Sequence, residues 1–165
     1  MELGPLVAAG RDGAVYEFGP GRVLRKTFDG RSIETEARIM QYVAEHGFPV
    51  PRIDEVRAGG TEIVMERIDG IPMLDDMVRP PTKLGRAMRT LADLHDQLHE
   101  IAAPAWLRDL EDGGDRVVHL DLHPQNVLIA ASGPVVIDWA NACRGDGLSD
   151  VAATYALLTL SLIHI

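Results

Sequence analysis

The sequence predicts an α+β fold in two lobes. Three observations carry the prediction: short apolar runs broken by glycine turns up to about residue 70, prolines that mark a hinge after them, and a long amphipathic helix followed by a polar loop and a tight hairpin. The first lobe is expected over residues 1–70 as a five-stranded antiparallel sheet with one helix, and the second over residues 71–165 as an incomplete helical lobe. A chain of 165 residues accommodates one ordinary domain or two small lobes that share a cleft.

The turn pairs GRDG (10–13) and GPG (19–21) separate strands near Leu6 to Ala9, Ala14 to Phe18 and Arg22 to Phe28. Asp29 and Gly30 end this meander. Ser32 is the expected N-cap of a helix running to about His46, which Gly47 and Pro49 stop. Strands near Ile53 to Ala58 and Glu62 to Arg67 follow, joined at Gly59 and Gly60. Pro72, Pro80 and Pro81 mark a linker-like region. From Lys83 to Ile101, apolar residues at Leu84, Ala87, Met88, Leu91, Leu94, Leu98 and Ile101 recur at helical spacing. A loop through Pro104 and Trp106 leads by way of Val117 and Val118 to HLDLHPQN, then to short strands at Val127 to Ile129 and Val135 to Ile137. The apolar tail from Val151 to Ile165 is shorter than a membrane span and reads as a core helix.

Apolar residues make up 46% of the chain and charged residues 25%, a globular composition. The formal charge of -9 argues against a nucleic-acid partner, which needs clustered Lys and Arg. One cysteine, Cys143, excludes an internal disulfide and a multi-thiolate zinc site. It fits a reducing cytoplasm, the expected location, and reads as a small buried side chain. No signal peptide is visible at the N-terminus, and no membrane partner is expected.

His119, Asp121 and Asn126 form HxDxxxxN, and Asp138 follows twelve residues after Asn126 at the end of an apolar strand. Phosphoryl transfer needs such a set: one carboxylate near the acceptor hydroxyl, with an amide oxygen and a second carboxylate to hold magnesium on the phosphates. A loop followed by a tight hairpin sets Asn126 and Asp138 side by side at one end of two paired strands. Competing readings are a pair of surface turns with local caps, and a hydrolytic metal site built from His119, Asp121, His123 and Asp138.

Lys26, between Leu24 and Phe28 on its strand, reads as an inward cation that wants an anionic partner. Glu36 lies on the apolar stripe of Ile33, Met40 and Val43, so Lys26 to Glu36 is the expected ion pair, with Arg25 and Glu34 as the rival members. Gly10 and Gly13 could lay backbone N–H groups over phosphates, or could simply form a hairpin turn. Glu66 and Ile68, where the fifth strand leaves the first lobe, could offer backbone groups to an adenine edge. His95 reads as a core histidine, and Asp150 as a brace for the catalytic loop.

Taken together, HxDLHPxN followed by IDW resembles the aminoglycoside phosphotransferase and choline kinase superfamily, where protein kinases carry HRDxxxxN and DFG. GFPVPRI, VMERIDGIP, LADLHDQLH and GDGLSDVA extend the resemblance over nearly the whole chain. It implies a protein-kinase-like fold and transfer of the ATP γ-phosphoryl group to a hydroxyl of a small-molecule acceptor. Asp121 would be the base or hydroxyl-orienting group, Asn126 and Asp138 the Mg²⁺ ligands, Lys26 the cation on the α- and β-phosphates, and Glu36 its partner, with His119 and Asp150 in support.

Three departures from the family pattern stand out. Leu120 takes the place of a usual Gly, only ten residues separate Lys26 from Glu36, and the chain stops just after the helix that follows GDGLSDVA. The last six residues, LSLIHI, are what the transposon-end sequence CTGTCTCTTATACACATC encodes. Residues 160–165 are therefore expected to be an artefactual end on a truncated gene, with an ordinary apolar helix end as the alternative. Alternatives for the activity are an inactive nucleotide-binding or scaffolding fragment, and an enzyme acting on proteins.

Overall fold

Glycine turns and alternating apolar residues fold the N-terminal part of the chain into one sheet, seen here in a computed structural model that describes residues 3–78 and 81–163. Its strands are β1 (Leu6–Ala9), β2 (Gly13–Glu17), β3 (Arg22–Thr27), β4 (Ile53–Arg57) and β5 (Glu62–Glu66). They pair antiparallel, as expected, and the order is β1-β2-β3-β5-β4. The β2–β3 turn is tight because Gly19 and Gly21 both take positive φ, 81° and 66°.

Helix α1 (Glu34–Glu45) is inserted between β3 and β4. Its N-cap is Ile33 rather than Ser32; the Ser32 hydroxyl sits one residue earlier and accepts from Glu34 N–H at 3.3 Å. The helix buries Glu36, Ala37, Ile39, Met40 and Val43 on one face.

The stretch read as a linker holds structure. It contains β6 (Gly70–Pro72) and α2 (Met73–Val78), whose Met73 is fully buried. Elements this short carry no readable period, and Pro72 suits the edge strand on which it lies. Pro81 opens a single 3₁₀ turn, and Pro80 lies outside the described residues.

Next come α3 (Leu84–His99), β7 (Arg116–Val118), β8 (Val127–Ala130), β9 (Gly133–Val136), β10 (Cys143–Gly145) and α4 (Gly147–Ile163). Strands β6, β8 and β9 form one small sheet, and β7 pairs with β10 in another. The main core runs from α1 (Ile39, Met40, Val43) through Phe48 and Trp139 to α3 (Leu91, Leu94, Leu98), Leu122 and Val127. Pro49 O accepts from Val136 N–H at 2.8 Å, so the segment after α1 is tied directly to β9.

Helix α4 is not the core helix that its composition predicts. Among residues 147–160 of this helix only Asp150 and Thr154 are buried, whereas Leu148, Val151, Tyr155 and Leu160 are exposed. Residues 164 and 165 of the LSLIHI end lie outside the described residues. Among the described residues, no helix is long and apolar enough to cross a membrane.

Candidate active site

The loop His119–Asn126 leaves β7 and is shaped by two polar anchors. The buried Asp150 carboxylate accepts His119 N–H at 3.1 Å and Leu120 N–H at 2.7 Å. Leu120 has φ 61°, a left-handed conformation that costs a non-glycine residue about 1–2 kcal/mol, so the two bonds to Asp150 hold the chain where it would not otherwise stay. This also explains why a glycine is the expected residue there. Burial would raise the Asp150 pKa, but the His95 and His99 rings that face the carboxylate, together with the His119 N–H, outweigh it and hold the carboxyl well below its ordinary range. His95 also faces Asp150, at 3.6 Å, too far for a hydrogen bond.

His119 itself is fully buried, and its Nδ1 accepts Asp121 N–H at 3.2 Å, which puts the ring proton on Nε2. Burial pushes its pKa down, against the pull of Asp150, Asp121 and Asp138, so the ring is neutral. It packs edge-on against Trp139 at 4.7 Å, and Trp139 in turn meets Phe48 at 5.6 Å.

Asn126 Nδ2 donates to both the main-chain oxygen and Oδ2 of Asp121, each at 3.0 Å. That commits the amide nitrogen to the loop and leaves Oδ1 as the free acceptor. Ile137 N–H donates to Asn126 O at 2.9 Å, and the register Val127↔Val136 carries Asp138 up to the loop. Asp138 has φ 65° and a half-exposed carboxylate. Asp121 Oδ1 also lies 3.3 Å from His123 Nε2. His119 is sealed away from these groups, so His119, Asp121, His123 and Asp138 do not converge on one ion, and among the described residues the histidine–carboxylate grouping lies elsewhere.

A cleft of about 1190 Å³ separates this loop from the five-stranded sheet. Gly10, Gly13, Glu36, Glu66 and Ile68 line one side and the connection, and Asp121 and Asp138 line the other. Gly13 is required by packing alone, since a Cβ there would stand 2.4 Å from Lys26 O on the neighbouring strand. Ile68 N–H donates to no described residue.

The expected Lys26–Glu36 pair is not formed. Arg25 reaches into the cleft, where its guanidinium pairs with Glu36 and lies 3.7 Å from Asp138. Lys26 points to the opposite face, half-exposed, and pairs with Glu62 at 3.3 Å. The reason is the pleat: Val23 and Arg25 line the cleft, while Leu24 and Lys26 lie on the opposite face. Leu24 suggested an inward face because it is apolar, but it is buried in a separate cluster with Phe18 and Val64 on the outer face. Burial lowers the Arg25 pKa and Asp138 opposes that shift; a guanidinium remains charged regardless.

The model of the Phosphotransferase enzyme family matches residues 5–116 and 100–161, nearly the whole chain. The chain belongs to this family. No curated protein matches the chain in sequence. Among solved structures, an aminoglycoside-3'-phosphotransferase of type VIII is 23% identical with a TM-score of 0.69, over 94% of this chain and 77% of that one. The streptomycin-ATP-APH(2")-IIa ternary complex is 14% identical with a TM-score of 0.64, over 91% and 69%. The Rio2 kinase-ADP/Mg²⁺-phosphoaspartate complex from Chaetomium thermophilum is 19% identical with a TM-score of 0.63, over 88% and 50%. At these identities the likeness shows a kinase-like α+β fold.

In the candidate site, sequence reasoning missed the His119–Trp139–Phe48 stack and the histidines behind Asp150. Trp139 directly after Asp138, and His99 one turn after His95, were the available signals.

Proposed function

We propose that the chain carries the nucleotide and phosphoryl-transfer machinery of an ATP-dependent phosphotransferase whose acceptor is a hydroxyl of a small molecule. The observation that carries this reading is the hydrogen-bonded pair Asp121 and Asn126 next to Asp138, with Asp121 and Asp138 lining the same cleft that the Arg25–Glu36 pair enters. Nucleotides in solved structures of the same fold, ATP in one and ADP in another, support it.

Arg25, rather than Lys26, is the cation for the phosphates, and Glu36 holds it in place. Ile68 N–H and the backbone at Glu66 offer one donor and one acceptor to an adenine edge at the connection between the lobes. Asn126 Oδ1 and the Asp138 carboxylate are hard oxygen donors that fit Mg²⁺: the Asn126 amide nitrogen is tied to Asp121, and Asp138 is half-exposed toward the cleft. When bound there, Mg²⁺ would neutralise charge on the transferring phosphates. Asp121, fixed by Asn126, orients the acceptor hydroxyl and takes its proton as the new O–P bond forms and the bond to the ADP leaving group breaks.

The test is a γ-phosphoryl transfer assay with Mg-ATP and a panel of alcohols, choline and aminoglycosides among them. Asp121→Asn is expected to lose at least 100-fold in turnover, the scale of general acid–base assistance, while nucleotide affinity stays within a few-fold. Undiminished turnover in that variant would overturn the assignment.

A further inference from the structure

His95 and His99 are one turn apart on α3 and present their rings on the same face. Both rings meet Asp150 of α4. Its Oδ2 lies 3.0 Å from His99 Nε2 and 3.6 Å from His95 Nδ1, and the three ligand atoms all fall within 4.8 Å of one another. A tetrahedral ion with bonds of about 2.0–2.1 Å sets its ligand atoms roughly 3.3 Å apart, and the two measured separations bracket that value.

The hydrogen bonds behind the cluster decide the tautomer. Thr154 Oγ1 has one proton and gives it to Leu122 O at 2.8 Å, so in its 3.2 Å contact with His95 Nε2 the hydroxyl accepts. His95 therefore carries its proton on Nε2. Its Nδ1 is buried in a residue only 5% exposed and has no hydrogen-bond partner among the described residues. A bare lone pair aimed at a carboxylate 3.6 Å away is repulsive, and the arrangement calls for a cation between them.

We propose that His95 Nδ1, His99 Nε2 and Asp150 Oδ2 form a site for a divalent transition-metal ion of the Zn²⁺ class, separate from the oxygen ligands of the catalytic loop. Two imidazoles and one carboxylate suit zinc, cobalt or nickel and disfavour Mg²⁺. Thr154 supplies the outer hydrogen bond that orients a ligating histidine. The fourth position opens on the side of His99, whose side chain is 18% exposed. Binding displaces the Nε2 proton of His99 to solvent. Because Asp150 also receives His119 N–H and Leu120 N–H, the ion clamps α3 and α4 together directly beneath the catalytic loop.

The experiment uses the whole chain, stripped with chelator and held in excess Mg²⁺, titrated with Co²⁺ and followed by visible absorption. One equivalent of Co²⁺ is expected to give intense tetrahedral d–d bands that one equivalent of Zn²⁺ abolishes. His99→Ala should lose them, and Thr154→Val, close in shape, should weaken binding by about 10–100-fold. Absent bands in the wild-type chain would overturn the proposal and leave a proton on His95 Nδ1 as the missing cation. Bands that survive His99→Ala would also overturn it, by moving the ion to another site such as His123 and Asp121. No nucleotide enters the measurement, so its outcome is independent of the phosphotransferase reading.

Discussion

Arg25 and Lys26 are adjacent cations that the pleat of β3 sends to opposite faces, so they make a direct test of the proposed nucleotide site. Arg25→Met is expected to weaken Mg-ATP binding by roughly 10–100-fold, the range of charge-assisted hydrogen bonds of about 1.5–3 kcal/mol, while Lys26→Met stays within about twofold. Calorimetric titration of both variants checks it, and equal losses would count against the assignment. His119 and Asp150 define the response to acid. The folded His119 ring has its pKa lowered by burial, so the unfolded chain takes up a proton near pH 6.5 that the folded chain refuses. That contribution to stability is complete above the ordinary histidine range and declines as the pH falls below it. The Asp150 contribution is complete above the ordinary carboxylate range near 3.9 and is lost on further acidification. Urea midpoints are therefore expected to fall from pH 7.5 to pH 5, with a shallower fall in His119→Gln.

At the scale of elements, α3 is held by the stripe of Ala87, Leu91, Leu94 and Leu98, not by capping, since neither of its ends has a side-chain cap. Leu98→Ala, at a fully buried position, is expected to cost about 2–5 kcal/mol, and Leu84→Ala, at a half-exposed one, less than about 0.5 kcal/mol. Chemical denaturation distinguishes them. The helix and the candidate catalytic hairpin were legible because each has a strong local signal: 3.6-residue spacing over five turns in one, and a tightly spaced polar motif beside an apolar hairpin in the other. β6, α2 and the β7–β10 pair were not, because three-residue strands have no period to detect and exist only through their partners.

Across the whole molecule, one core passes from α1 through Phe48 and Trp139 into α3, so the sheet and the helical part are not independent bodies. Far-UV circular dichroism and tryptophan fluorescence are expected to report coincident thermal transitions. Phe48→Ala should lower both together, and two separated transitions would show that the shared core does not couple them. The exposed apolar side of α4, with Leu148, Val151 and Tyr155, lies outside that core.

The sequence by itself determined the kinase-like order of elements, the family, and the candidate catalytic loop with its hairpin, because period, turn chemistry and a tightly spaced polar motif are local properties. Only the tertiary structure decided which cation enters the cleft and which groups surround Asp150. A strand with apolar clusters on both faces hides its inward side from any alternation rule, and Arg25 becomes the inward residue only when Glu36 and Asp138 arrive from elsewhere in the chain. In the same way, His95, His99 and Thr154 become one polar site only when α3 and α4 are packed against the loop that Asp150 holds.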